Sequence, residues 1–257
     1  MLEPTAPNLQ RLEIRSGHWG QWLATGAAAV VGFVVLALLL VLGADLAQFD
    51  QPVQAAVISV RGPDLTLFAS AVTRLGSAQL VIGVGIAGAL LLWLRTRRVL
   101  MPTAYLGALA ATASLVTIIK FTLNRPRPPV DLVIGTPLMD AAFPSGHTTD
   151  GSVLVVLTAS MLALTYRRLL ARRLLVIIGW VLALLIGWSR VYLGDHWPTD
   201  VLAGWLLAAT VVSVTMALVN LALVPYPGGE MPDVLGTDAT RLTLEPTGSQ
   251  RISLPTP

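Results

Sequence analysis

Long uncharged runs alternate along the chain with short breaks rich in Pro, Arg and Asp, and six of the runs are apolar enough to predict membrane-spanning helices. The first is Leu23 to Gly43, 21 uncharged residues without a convincing cleavage site, so it reads as a retained span and not as a secretion leader. The others are placed at about 78–94, 99–119, 148–166, 174–188 and 201–224, and two of the shorter ones borrow polar flanks to reach full span. Between the first two spans, residues 44–77 carry Asp45, Asp50, Arg61, Asp64 and Arg74, with Leu65, Phe68, Val72 and Leu75 at helical spacing. That pattern fits an amphipathic helix on the membrane surface, or ordinary packing across the top of a bundle. The expected organisation is a cytoplasmic lead over 1–22, a six-helix membrane domain over 23–224 and a disordered cytoplasmic tail over 225–257. The tail has six prolines and four glycines in 33 residues and no apolar period.

Composition agrees with this reading. The 257 residues are 54% hydrophobic and only 12% charged, and the mean hydropathy of +0.73 exceeds what one soluble core requires. The fold class expected is therefore all-α, a polytopic bundle of six transmembrane helices with the lipid bilayer as partner. With no cysteine, disulfides and thiolate chemistry are excluded. The net charge of +3 does not point to nucleic acid, because the arginines flank membrane spans and no basic groove interleaved with aromatics is present. One lysine against sixteen arginines, in a chain rich in Ala and Val, hints at a bacterial plasma-membrane protein.

Counting basic residues orients the chain. With the N-terminus inside, the inner segments hold eleven, including Arg95, Arg97, Arg98, Arg167, Arg168, Arg172 and Arg173, and the outer loops hold six: Arg61, Arg74, Lys120, Arg125, Arg127 and Arg190. Both termini are then cytoplasmic, and three polar clusters lie on the extracytoplasmic face.

Those clusters stand at loop-to-helix borders: Lys120 with Arg127-Pro128, Pro144-Ser145-Gly146-His147, and Ser189-Arg190 with His196 and Asp200. Small residues at Ser145 and Gly146, just where a helix begins, let unpaired backbone N–H groups approach an anion. Lys120, Arg127 and Arg190 add three positive charges, two of them able to fork onto phosphoryl oxygens. Phosphate ester hydrolysis is among the slowest uncatalysed reactions and needs about 20 kcal/mol of stabilisation or more. An imidazole becomes a nucleophile towards phosphorus when a carboxylate holds its other nitrogen, and Asp200, four residues after His196, is spaced to do so. His147 is then the acid for the leaving oxygen and the base for water. His18, beside Trp19 in the polar lead, reads as a solvated or interfacial side chain.

These residues carry a resemblance to the type 2 phosphatidic acid phosphatase superfamily, whose motifs read Lys-x6-Arg-Pro, Pro-Ser-Gly-His and Ser-Arg-x5-His-x3-Asp. The chain has KFTLNRPRP from Lys120 to Pro128, PSGH from Pro144 to His147 and SRVYLGDHWPTD from Ser189 to Asp200, matching all eleven specified positions in order. The resemblance implies a six-helix core like that of acid phosphatases and vanadium haloperoxidases. It also implies a site at the outer membrane surface with neither metal nor cofactor, His196 as nucleophile, His147 as acid, and Lys120, Arg127, Ser145, Gly146 and Arg190 as phosphate ligands. The expected substrate is a membrane lipid phosphate or diphosphate, such as polyprenyl diphosphate, phosphatidate or phosphatidylglycerol phosphate. A lipid phosphotransferase using the same intermediate, and a catalytically silent transporter or scaffold, are the alternatives; the intact His147, His196 and Asp200 argue against the second.

Residues outside the motifs receive plainer readings. Arg125 is expected to serve the loop or a lipid headgroup, Asp195 to form a turn or pair with an arginine, and Asp150 to complement a helix dipole from the first turn of the fourth span. Pro126, Pro128 and Pro129 stiffen the loop that presents Arg127, and Gly83, Gly85 and Gly88 are expected to pack helices closely.

Overall fold

The computed structural model describes residues 19–223. The expected lead, apart from its last four residues, and the expected tail lie outside the described residues, as do His18 and the arginines of both segments. The described chain is helical: α1 (Trp19–Val41), α2 (Ala47–Ser59), α3 (Pro63–Thr73), α4 (Ala78–Thr96), α5 (Leu100–Leu123), α6 (Gly146–Leu164), α7 (Leu169–Tyr192) and α8 (Pro198–Leu223). Six of these, all but α2 and α3, are long and apolar enough to cross a membrane. The chain is a polytopic all-α membrane protein, as its hydrophobic pattern predicts.

Burial separates the spans into an inner pair and an outer shell. In α6 and α8 the apolar stretches are 67% and 56% buried, against 11–22% for the other four. α6 packs against α4, α5, α7 and α8, while α1 lies along α8. The outer helices turn Val31, Val35 and Leu38 of α1, Ile82 and Ile86 of α4, Ile118 and Phe121 of α5 and Ile177 of α7 outward, the surface a hydrocarbon solvent requires. The core between α5 and α6 is organised by Tyr105, fully buried with its hydroxyl 2.7 Å from Thr158 Oγ1. α7 approaches α6 closely at Gly179, where an added Cβ would lie 2.9 Å from that of Ala159 and 3.1 Å from the Val155 carbonyl oxygen. Of the three glycines expected to pack helices, Gly85 and Gly88 do face Leu109 and Tyr105 of α5, but Gly83 faces open space.

Several boundaries shift from those the sequence predicts, always because polar residues extend a helix beyond its apolar run. α1 begins at Trp19, four residues early, and α5 continues through Lys120 to Leu123. α7 carries Ser189 and Arg190 in its last turns, so neither belongs to the following loop. Asp150 sits at the fifth residue of α6 and not in its first turn, which removes the dipole role expected of it.

Residues 44–77 form a helical hairpin with packed partners. Ala69 of α3 is buried with Tyr192 and Leu193 at the end of α7, and the Tyr192 hydroxyl meets Gly62 N at 3.1 Å and Thr66 Oγ1 at 3.0 Å. Arg61 donates to the carbonyls of Tyr192 and Leu132. Of the two readings the sequence allows here, packing across the bundle end describes Ala69 and Val72, while Leu67 and Phe68 remain exposed.

Candidate active site

The site forms where four helix ends meet. The C-terminal ends of α5 and α7 and the N-terminal ends of α6 and α8 lie on one side of the bundle, opposite the arginines that follow α4 and α6. α5 stops because Asn124 adopts the left-handed conformation (φ 42°) and its N–H caps Lys120 O. The run Arg125-Pro126-Arg127-Pro128-Pro129 cannot re-enter a helix, since each residue before a proline is driven extended. Arg125 and Arg127 consequently reach different partners.

Arg127 is the hub. Its Nη1 donates to the Asp195 carbonyl at 2.7 Å and lies 3.2 Å from His196 Nε2; its Nε and Nη2 reach the Asp140 carbonyl and carboxylate at 2.8 and 2.7 Å. Lys120 Nζ meets the other Asp140 oxygen at 2.6 Å and also the Ala141 carbonyl. Arg190, buried at 4% exposure, pairs with Asp195 at 2.9 Å and donates to Thr73 Oγ1 at 2.6 Å, leaving its Nε without a partner. The expectation that Asp195 pairs with an arginine holds. Arg127 and Arg190 thus converge on the Asp195-His196 segment, and Lys120 is tied to Arg127 through Asp140.

The loop before α6 is fixed from α8. Ser145 N–H donates to the Asp200 carbonyl at 3.1 Å, and the Ser145 hydroxyl accepts from Thr148 at 2.9 Å. Gly146 opens the helix beside Lys120, whose Cε would lie 3.9 Å from an added Cβ. His147 follows in the first turn, half-buried and within electrostatic reach of Arg190, Arg127, Lys120 and Asp140. All eight residues singled out by sequence are brought to this one end of the bundle: Lys120, Arg127, Ser145, Gly146, His147, Arg190, His196 and Asp200. Ser189 is not among them, because its hydroxyl bonds back to Ile186 O within α7.

His196 is 1% exposed. Burial, and then the charges of Arg127, Arg190, Lys120 and His147, hold its pKa well below the usual imidazole value, so the ring is neutral at pH 7. A guanidinium can only donate; Nε2, facing Arg127, must therefore be the unprotonated nitrogen, and the proton sits on Nδ1. Nδ1 lies 3.5 Å from Asp200 Oδ2, longer than a formed hydrogen bond, and makes no other bond. The arrangement is a neutral imidazole with its lone pair aimed among cations and its N–H aimed at a carboxylate. Chemically, such a ring can act as a nucleophile towards an anionic electrophile.

Two participants escaped the sequence reading and a third was misassigned. Asp140, with no helical or motif context, bridges Lys120 and Arg127; burial pushes its carboxyl up, but the Lys120 bond and charge, with Arg127, outweigh this and hold it at about 2. Asp50 of α2, fully buried, accepts from Arg125 Nη2 at 2.6 Å and from Thr199 N and Oγ1 at 2.9 and 2.8 Å. Arg125 pairs with Asp50 and with Asp200 and is 11% exposed, which overturns its assignment to a loop or headgroup role. Only the Arg-Pro-Arg-Pro repetition could have signalled it.

Comparison with known proteins gives concordant results. Residues 102–223 match the family model described as the PAP2 superfamily. The chain is 31% identical over 136 residues to an undecaprenyl-diphosphatase of Sulfolobus acidocaldarius, an alignment covering 50% of this chain and 59% of that protein. It is 29% identical over 161 residues to phosphatidylglycerophosphatase B of Bacillus subtilis, covering 62% and 77% respectively. A crystal structure of a transmembrane PAP2-type phosphatidylglycerolphosphate phosphatase from Bacillus subtilis superposes with a TM-score of 0.69 at 23% identity, over 77% of this chain and 96% of the other, a likeness of fold. The alignment with the archaeal relative therefore spans less than two thirds of that protein's length.

Proposed function

We propose that this integral membrane protein, whose residues 102–223 match the family model described as the PAP2 superfamily, is a lipid phosphatase, hydrolysing a lipid phosphate or diphosphate through a phosphohistidine intermediate. The observation that carries the reading is the neutral His196, its free Nε2 3.2 Å from Arg127 and its Nδ1 facing Asp200. A transporter or scaffold needs no such nucleophile.

In the proposed cycle Lys120, Arg127 and Arg190 bind the phosphoryl oxygens, with the Ser145 hydroxyl and the Gly146 N–H supporting them from the start of α6. Substrate phosphate takes over the donors that Asp140 holds on Lys120 and Arg127. His196 Nε2 attacks phosphorus as the bond to the leaving oxygen breaks, and His147, protonated once the bound phosphate offsets the cations around it, gives that oxygen its proton. The imidazolium that forms is stabilised by Asp200 through Nδ1–H. Water then attacks the phosphohistidine while His147 takes the proton from it; the P–N bond breaks, inorganic phosphate leaves, and both histidines return to their starting states.

The distribution of arginines supports an extracytoplasmic site with both termini in the cytoplasm, because Arg95, Arg97, Arg98, Arg167, Arg168, Arg172 and Arg173 all flank the opposite end of the bundle. A site at the level of the helix ends favours a tethered substrate, whose tail stays among lipids while its headgroup meets the cations. Polyprenyl diphosphate and phosphatidylglycerol phosphate are the first candidates, since relatives are named for them. The test is inorganic phosphate release by detergent-purified protein, in EDTA, across polyprenyl diphosphate, phosphatidate, phosphatidylglycerol phosphate and a soluble phosphate ester. Release that requires His196 supports the reading, and its absence throughout the panel contradicts it.

A further inference from the structure

Asp200 has two carboxylate oxygens and two tasks. Oδ2 accepts from the Trp197 N–H at 2.9 Å, the third residue of a helix reaching back to the residue before it, and the same oxygen faces His196 Nδ1. Oδ1 is held by Arg125 Nη1, which also donates to the Thr199 hydroxyl oxygen at 2.8 Å. Trp197 offers no capping side chain, so the next free donor of α8, Thr199 N–H, is satisfied from outside by Asp50 Oδ1. Asp50 Oδ2 then binds both Arg125 Nη2 and Thr199 Oγ1. The Arg125 plane lies between two buried carboxylates, with Trp197 beside it at 6.0 Å and the indole N–H tied to Pro126 O at 3.0 Å.

We propose that Asp50 and Arg125 are positioning residues that act through Asp200, α2 supplying the anchor that sets the carboxylate against His196. The inference rests on the phosphohistidine reading and adds to it a residue 150 positions from Asp200 in an element outside the three motifs. Several features separate it from simple packing. A guanidinium forked onto two separate carboxylates fixes direction as well as distance. Both carboxylates are at 0% exposure, so water cannot replace a missing partner. One oxygen of Asp200 is occupied by Arg125, leaving only the other for His196. The couple also balances charge: Arg125 offsets Asp200, in a site where His196 already faces Lys120, Arg127, His147 and Arg190, with Asp195 and Asp140 as the remaining acids.

The test uses full-length protein in detergent, with short-chain phosphatidate and farnesyl diphosphate as probes, comparing Arg125→Gln, Arg125→Lys, Asp50→Asn and the double variant Asp50→Asn/Arg125→Gln. Arg125→Gln is expected to lower kcat by about 10- to 100-fold with KM nearly unchanged, the pattern of a lost transition-state contribution. Its acid limb of kcat/KM should move to higher pH, because a cation opposing the imidazolium is gone. Asp50→Asn should lose less, and the double variant no more than Arg125→Gln alone. Size-exclusion profile and melting temperature identify folded variants, and Arg125→Lys, which keeps the charge, stands in if Arg125→Gln does not fold; it should lower kcat without moving the acid limb. Folded variants with wild-type kcat and an unmoved limb would overturn the inference, as would losses that multiply. Wild-type protein inactive on both probes would instead count against the phosphatase reading itself.

Discussion

Arg127 Nη1 stands 3.2 Å from Nε2 of His196, and that single relationship fixes the tautomer of the ring. Because the guanidinium has no lone pair to offer, the lone pair is on the histidine, directed to where the cations gather. Arg127→Lys should lower kcat/KM by about 10²- to 10³-fold, since one ammonium cannot serve Asp140, the Asp195 carbonyl and the phosphoryl group together. Steady-state kinetics on the best lipid substrate measures this; a loss under about threefold would show that charge alone suffices.

The depressed pKa of His196 sets a pH dependence with a definite sign. In the unfolded chain the ring takes a proton near 6.5, whereas in the fold it resists until a lower pH. Between these values the unfolded state binds more protons, so stability falls as pH drops below 6.5. Activity should show the other face of the same shift: the neutral nucleophile survives below pH 6.5, and the acid limb assigned to it lies on the acid side of that value. His196→Gln should flatten the stability change in this window, which thermal melts from pH 7 to pH 5 would detect.

Asp140 bridges Lys120 and Arg127 where phosphate is expected to bind, and its carboxylate stays ionised down to about pH 2. Replacing it with Asn leaves the shape and removes the competing charge. Asp140→Asn should therefore bind vanadate more tightly, by about tenfold or about 1.4 kcal/mol. Weaker binding by the same assay would mean that the acid orients the two cations instead of competing for them.

Gly76 touches the site from behind, a Cβ there lying 2.9 Å from the His147 carbonyl carbon and 3.0 Å from its Cα. Backbone cannot yield as a flexible side chain can. Gly76→Ala should destabilise the protein by about 1–3 kcal/mol and displace His147. A melting temperature equal to wild type, with unchanged turnover, would contradict this.

The fold was legible because a bilayer imposes one pattern: six apolar runs could only be helices, and six are found. Boundaries were misread wherever a polar residue prolonged a helix, as at Lys120 and Arg190, because hydropathy marks the hydrocarbon region and not the hydrogen-bond ladder. That the eight candidate residues gather at one end of the bundle was legible because their spacing places them at helix ends on one side. Asp50 and Asp140 were not, since each acquires its role from a partner 75 or 20 residues away, at Arg125 and Lys120. Arg125 was visible but misassigned; only the two buried carboxylates that flank it distinguish a positioning arginine from a surface one.

If His196 Nε2 takes the phosphoryl group, the phosphorylated ring can be trapped. Wild-type protein would be mixed with substrate carrying radiolabelled terminal phosphate, quenched in alkali within the first turnover, and digested to locate the label. An alkali-stable, acid-labile phosphohistidine on Nε2 of His196, absent from His196→Ala, is the expected result. Label on another residue, on Nδ1, or full turnover by His196→Ala would contradict it.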